Sequence, residues 1–252
     1  MALVIRTTKD MLEWRKSVEG RSVGFVPTMG ALHLGHEALI QKARAENELL
    51  VLSIYVNPTQ FNDKSDFEKY PATWDADLKL AEKNRVDVVF APIYSEMYPD
   101  QYSYKVIETD FSKKLCGANR PGHFDGVLTV VMRLLNLVRP EKAYFGEKDF
   151  QQLSLIQGMV KAFFLSTEIV PVETVREKDG LAMSSRNVRL FPRDREMAPL
   201  IHRVLKTAKS PLEAIQEFEK QNWKVDYVTD FSGRRFAAVY VGEVRLIDNV
   251  KI

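Results

Sequence analysis

Two histidines three residues apart, His33 and His36, stand in the run Pro27-Thr28-Met29-Gly30-Ala31-Leu32-His33-Leu34-Gly35-His36. The run follows an apolar β-type stretch and opens an amphipathic one, which makes it a strand–turn–helix junction. Residues three apart on a helix share a face, so both imidazoles can serve one site. Unpaired backbone N–H groups and the positive end of the helix dipole make such a junction a natural phosphate site. Gly30 permits an unusual turn, and Gly35 leaves room for close approach. Zinc is a poorer reading, because no HExxH occurs and His123 is the one plausible third nitrogen. A plain helix start is the other alternative; the surrounding strand, glycine turn and helix weigh against it.

Three further segments carry candidate chemistry. Phe145-Gly146-Glu147-Lys148-Asp149-Phe150-Gln151-Gln152 lies at a later strand-to-helix junction, where Lys148 could place positive charge on a phosphate. Asp149 and Gln152 also have the spacing of a helix capping box, a sufficient structural explanation for both. Glu177-Lys178-Asp179-Gly180-Leu181-Ala182-Met183-Ser184-Ser185-Arg186-Asn187 sets two hydroxyls and a guanidinium on an expected mobile linker. That suits a triphosphate to be gripped and released, or else a solvated interdomain turn. In Tyr55-Val56-Asn57-Pro58-Thr59-Gln60-Phe61 a strand ends in a turn, and Gln60 could bond a hydroxyl or carboxylate of a small substrate or be a loop amide. GxxxxGK[ST], GxGxxG and GxSxG are all absent, so a nucleotide site here is of the HxGH kind found in nucleotidyltransferases and class I aminoacyl-tRNA synthetases.

The elements that must position these groups alternate. Strands are expected at Leu3–Arg6, Ser22–Pro27, Leu49–Val56, Val86–Ala91, Ala143–Phe145 and Glu168–Val172. Helices are expected at Lys9–Val18, His33–Ala45, Asp75–Asn84, Gly126–Val138 and Phe150 to about Phe164. Near-continuous apolar strands between amphipathic helices predict a doubly wound, Rossmann-like α/β domain with a parallel sheet over residues 1–175. Beyond it, helices around Arg195–Ala208 and Pro211–Gln221 precede β-type runs at Lys224–Val228, Phe236–Val241 and Val244–Ile247. They predict a smaller C-terminal α+β lid domain over residues 176–252.

Composition narrows the class. With 36 Lys+Arg against 34 Asp+Glu, a formal charge of +2 gives no reason to expect nucleic acid or an acidic membrane as partner. Cys116 is the single cysteine, which excludes an intrachain disulfide and a four-cysteine zinc site and fits a reduced cytoplasmic setting. The N-terminal run lacks a continuous apolar signal core, and charges interrupt each apolar stretch before membrane-spanning length.

Taken together, PTMGALHLGH, VNPTQF, RPGHFDGV, FGEKDFQQL, DGLAMSSRN and RLIDN resemble, in order and across nearly the whole chain, the pantothenate synthetases, the pantoate–β-alanine ligases of vitamin B5 synthesis. The resemblance implies ATP contacts from Met29, Gly30, Ala31, Leu32, His33, Leu34, Gly35, His36, Gly146, Glu147, Lys148, Asp149, Val175, Met183, Ser184, Ser185 and Arg186. It implies His36 as proton donor with His33 beside it on the phosphates, and Lys148 and Arg186 as further catalytic groups. Gln60 and Gln152 match the pantoate-binding glutamines, Gln60 is also placed near β-alanine, and Arg120 falls at the rim. No complete set of protein metal ligands is implied, although Asp77 lies in a region that could support one; Mg²⁺ is expected on the ATP phosphates. A homodimer is implied too. The segment between Asp226 and Arg245 reads as shorter than in relatives. An HxGH transferase that joins AMP to a phosphorylated acceptor, and a nucleotide-binding regulatory module without turnover, are the competing readings.

Overall fold

Six strands, β1 (Leu3–Ile5), β2 (Val23–Thr28), β3 (Leu49–Ile54), β4 (Val88–Phe90), β5 (Lys142–Gly146) and β6 (Glu168–Val172), pair in parallel in the order β1-β4-β3-β2-β5-β6. The computed structural model that shows this describes residues 2–62 and 64–252. Alternate residues of a strand face opposite sides, yet Val23, Phe25 and Val26 are all fully buried, as are Leu50, Val51 and Leu52. Both faces are therefore covered, which is why these strands read as continuous apolar runs. On one face Val26, Leu50, Leu52, Val89 and Tyr144 pack with Leu39, Ile40, Ala43 and Ala81 from the helices Leu34–Glu46 and Trp74–Lys83. The strand order reverses at β2, between β3 and β5, and the turn after β2 carries the paired histidines. In sheets of this kind that reversal, at the carboxyl ends of the strands, is where ligands bind.

The chain forms two units: residues up to Gly146 with Gln151–Val172, and Glu147–Phe150 with Glu173–Ile252. In the second, β7 (Lys224–Phe231), β8 (Arg234–Val241) and β9 (Val244–Lys251) make an antiparallel meander. Its core joins Val239, Val241, Leu246 and Val250 to Ile201, Leu205, Phe218 and Trp223. The helical run expected around Arg195–Ala208 breaks into Pro192–Met197 and Leu200–Thr207, since Pro199 cannot supply a helical N–H. The parallel sheet with its covering helices and the separate small sheet give the expected fold class.

Within the second unit, Arg176 grips Asp248 with both guanidinium nitrogens (2.7 and 3.0 Å), and Asp248 is 5% exposed. His202 Nδ1 lies 3.7 Å from the same carboxylate. Burial, and then the Arg176 charge, hold the His202 ring below the usual imidazole range.

Two expectations follow. Because its folded basicity is depressed, His202 stabilises the fold fully above its unfolded value of about 6.5, and that contribution is lost as pH falls through that value toward the folded one. Urea unfolding at about pH 7.5 and about pH 5.5 should therefore show a shallower acid loss in His202→Gln than in the parent. In the first unit, a Cβ on Gly126 would sit 2.4 Å from the Thr59 carbonyl oxygen and 2.7 Å from Gln60 N. Gly126→Ala should cost about 1–3 kcal/mol by overpacking, read as a lowered urea midpoint with an unchanged slope.

Candidate active site

The chain leaves β2 at Thr28 and turns at once, with Gly30 and Ala31 both in left-handed backbone (φ 76° and 51°). Glycine adopts this freely, whereas alanine resists it by roughly 1–2 kcal/mol, so Ala31 needs holding. Asp77 holds it. Its carboxylate, 2% exposed, accepts the Ala31 N–H at Oδ2 (2.9 Å) and the Leu32 N–H at Oδ1 (2.8 Å). The Thr73 hydroxyl donates to the same Oδ1 (3.1 Å). Thr28 Oγ1 accepts the Gly30 N–H (3.1 Å) while donating to the Ser53 carbonyl (2.7 Å).

The helix Leu34–Glu46 then starts with a capping box built from two imidazoles. His33 Nδ1 accepts the Gly35 N–H (3.1 Å), and His36 Nδ1 accepts the His33 N–H (3.3 Å). The ring centroids lie 4.1 Å apart. Fewer amides are unpaired at this junction than expected: the N–H groups of Gly30, Ala31, Leu32, His33 and Gly35 have partners within the protein. Beside these amides the two imidazoles are half-buried.

Gln60 reaches the same turn from the end of β3. Pro58–Gln60 form one short helical turn capped by Asn57, which is 1% exposed. Asn57 Oδ1 accepts from the Tyr98 hydroxyl (2.8 Å) and from Thr59 Oγ1 (2.9 Å). Asn57 Nδ2 donates to Gln60 Oε1 (3.0 Å) and to the Gly126 carbonyl (3.2 Å). With Oε1 so engaged, Gln60 Nε2 is turned toward Met29, whose sulfur it contacts at 3.3 Å. The Gln60 carbonyl in turn lies 2.7 Å from His123 Nδ1 and accepts from Arg120 (3.4 Å), so Arg120 acts on the backbone of this segment. Burial pushes the Tyr98 phenol up to about 12, which keeps it a proton-bearing donor to Asn57.

The paired glutamines Gln151 and Gln152 have separate roles. Gln151 is buried and structural, donating to the Phe111 and Lys114 carbonyls (2.8 and 2.7 Å) and accepting the Cys116 N–H (3.0 Å). Gln152, one position on, is half-exposed on the helix Phe150–Ala162. Gly146 closes β5 in the sheet.

The remaining candidates belong to the second unit. Lys148 Nζ lies 3.6 Å from the Asp149 carboxylate, and Asn249 Nδ2 donates to the carbonyls of Glu147 and Lys148 (2.9 Å each). Val175 and Met183 are brought together, the Met183 N–H meeting the Val175 carbonyl at 3.0 Å. The stretch expected as a mobile linker is tied down. Arg195 bridges Glu177 and Asp179 (both 2.6 Å), and Asn187 Nδ2 donates to Glu177 Oε1 (2.9 Å) and the Ala182 carbonyl (3.1 Å). Ser184 Oγ accepts the Arg186 N–H (3.2 Å), and Ser185 is half-buried beside them.

Sequence reasoning passed over Asn57, the true partners of Asp77, and Asp248 with Asn249. Signals existed: Asn before Pro favours a side-chain-capped turn, and RLIDN was already singled out as a motif. Among the described residues no group of three or more His, Cys, Asp or Glu could hold a metal ion. Nor is any helix among them long and apolar enough to cross a membrane.

The family model for pantoate-beta-alanine ligase matches residues 3–251. The pantothenate synthetase of Bdellovibrio bacteriovorus is 61% identical over 252 residues, 100% of both chains. The apparent shortening between Asp226 and Arg245 is thus no departure from that relative. The Coxiella burnetii pantothenate synthetase is 48% identical over 250 residues, 99% of this chain and 97% of its own. The Francisella tularensis pantoate-beta-alanine ligase, a crystal structure complexed with beta-gamma ATP and beta-alanine, has a TM-score of 0.95 at 39% identity, covering 100% of this chain and 98% of that one. The Thermus thermophilus pantothenate synthetase gives 0.90 at 40% identity, with 99% of each chain covered. A match of this extent, over a fold whose strand reversal carries the histidine turn and Gln60, has one meaning: the chain is an enzyme of the pantoate-beta-alanine ligase family.

Proposed function

We propose that this chain condenses D-pantoate with β-alanine to pantothenate at the expense of ATP, through a pantoyl-adenylate, releasing AMP and pyrophosphate. The observation that carries the reading is the end-to-end match to a ligase complexed with beta-gamma ATP and beta-alanine. The pantoate carboxylate attacks the α-phosphorus of ATP; a P–O bond forms and the bond to pyrophosphate breaks. The β-alanine amine then attacks the acyl carbon and AMP departs, while the amine proton passes to solvent or phosphate. No covalent enzyme intermediate is needed.

The chain's part is positioning and neutralisation of growing phosphate charge. In this proposal His36 and His33 meet the phosphates as hydrogen-bond donors. Lys148, Ser184, Ser185 and Arg186 supply further donors, and Met29–His36, Gly146–Asp149, Val175 and Met183 complete the nucleotide contacts. Gln60 and Gln152 take pantoate, and Gln60 also lies beside β-alanine. The Gln60 assignment draws support from the Asn57 contact, which fixes which end of its amide faces Met29. The described residues do not fit a protein-held metal, because the Asp77 oxygens already accept from Ala31, Leu32 and Thr73. Mg²⁺ enters the proposal as a counter-ion of ATP, and no step is routed through it. A cytoplasmic homodimer is carried over with the family reading.

Pyrophosphate release from MgATP should require pantoate, and AMP and pantothenate should appear when β-alanine is added. A dinucleotide product from a phosphorylated acceptor, without pantoate-dependent pyrophosphate, would defeat the proposal, as would ATP binding without turnover. Asn57→Asp keeps the acceptor for Tyr98 but removes the donor to Gln60 and to the Gly126 carbonyl, so the Gln60 amide should turn its other end outward. Losing one buried, oriented bond is worth about 1–3 kcal/mol, so the KM for pantoate should rise roughly 10-fold or more while that for ATP changes little.

A further inference from the structure

The turn that carries the two histidines is held from elsewhere in the chain. Asp77 lies 46 and 45 positions from Ala31 and Leu32, yet its two oxygens take those consecutive N–H groups. The fit is close: a Cβ on Gly30 would stand 2.9 Å from Asp77 Oδ2. Leu32 leads directly into His33, whose own N–H goes to His36 Nδ1, while His33 Nδ1 takes the Gly35 N–H. A ring nitrogen that accepts an N–H carries no proton, so each ring is left with its proton on Nε2.

We infer that Asp77 is a positioning residue for the histidine pair: by fixing the Ala31–Leu32 backbone it locks both imidazoles as Nε2–H tautomers. In that state each ring donates a hydrogen bond to phosphate oxygen instead of delivering a proton as an acid. The catalytic consequence rests on the proposed phosphate role of His33 and His36; the tautomer lock does not.

The test uses the full chain with ¹⁵N-labelled histidine and long-range ¹H–¹⁵N correlation, the four histidines being assigned by His36→Gln, His123→Gln and His202→Gln spectra, with His33 the remaining signal. In the parent, His33 and His36 should each show a bare Nδ1 and a protonated Nε2. Asp77→Asn offers one acceptor in place of two and sets an NH₂ group against a backbone N–H. It should mix the tautomers of at least one ring and lower kcat for pantoate-dependent pyrophosphate release roughly 100-fold, with cooperative unfolding retained. Thr73→Val removes only the third bond to the carboxylate and should move the same signals less far. If Asp77→Asn does not fold, the Thr73→Val shift decides. A protonated Nδ1 on either ring of the parent, or variant spectra identical to the parent, would overturn the inference. A locked pair in an enzyme without pantoate-dependent turnover would instead overturn the proposed function and leave this inference standing.

Discussion

A buried carboxylate bonded to two consecutive backbone amides underlies the rest of the first unit's site. Such a contact has a cost, since Asp77 gives up water at 2% exposure, and two N–H groups plus a hydroxyl compensate it. Because the amides belong to successive peptide planes on either side of the Ala31 α-carbon, the carboxylate fixes both planes and not merely a point. The left-handed Ala31, the start of the helix Leu34–Glu46 and the seating of both imidazoles all follow them. Phosphate sites at strand–helix turns commonly spend their backbone amides on the ligand. Here the amides of Gly30, Ala31, Leu32, His33 and Gly35 are spent internally.

Amide side chains play the same part at one remove. Asn57 uses its oxygen on Tyr98 and Thr59 and its nitrogen on Gln60 and the Gly126 carbonyl. Each of its bonds has a definite sense, so the chemical polarity of Gln60 is set before any substrate arrives. Gln151 does likewise for the loop of Phe111, Lys114 and Cys116, next door to Gln152. Burial makes Gln151 part of the frame and leaves its neighbour Gln152 half-exposed.

The alternation of apolar strands and amphipathic helices was legible because the central strands Val23–Thr28 and Leu49–Ile54 are buried on both faces; Glu168–Val172 was located to the residue and the others within a few. The break at Pro199 was equally written in the sequence and was missed because the apolar period continues across it. Motifs named the histidines and Gln60. They did not show that the turn's amides were taken, because the partner lies on a helix some 45 positions away and one aspartate in an acidic first turn looks like any other. Asp248 and Asn249 were legible as part of a motif, but their partners Arg176, Glu147 and Lys148 depend on a strand register that local pattern does not fix.

The Arg176–Asp248 grip also sets an order of events during synthesis. Asp248 lies 72 positions after Arg176. At about 5–20 residues per second a ribosome takes roughly 4–14 s to add that span. Throughout that interval the segment from Arg176 onward has emerged, or is emerging, without the carboxylate that will anchor it. Asp77 trails Ala31 by 46 positions, so the histidine turn can close while the second unit is still being made. The nascent chain thus passes through a stage in which the bonds from Asp77 to the histidine turn can form while the grip on Asp248 cannot.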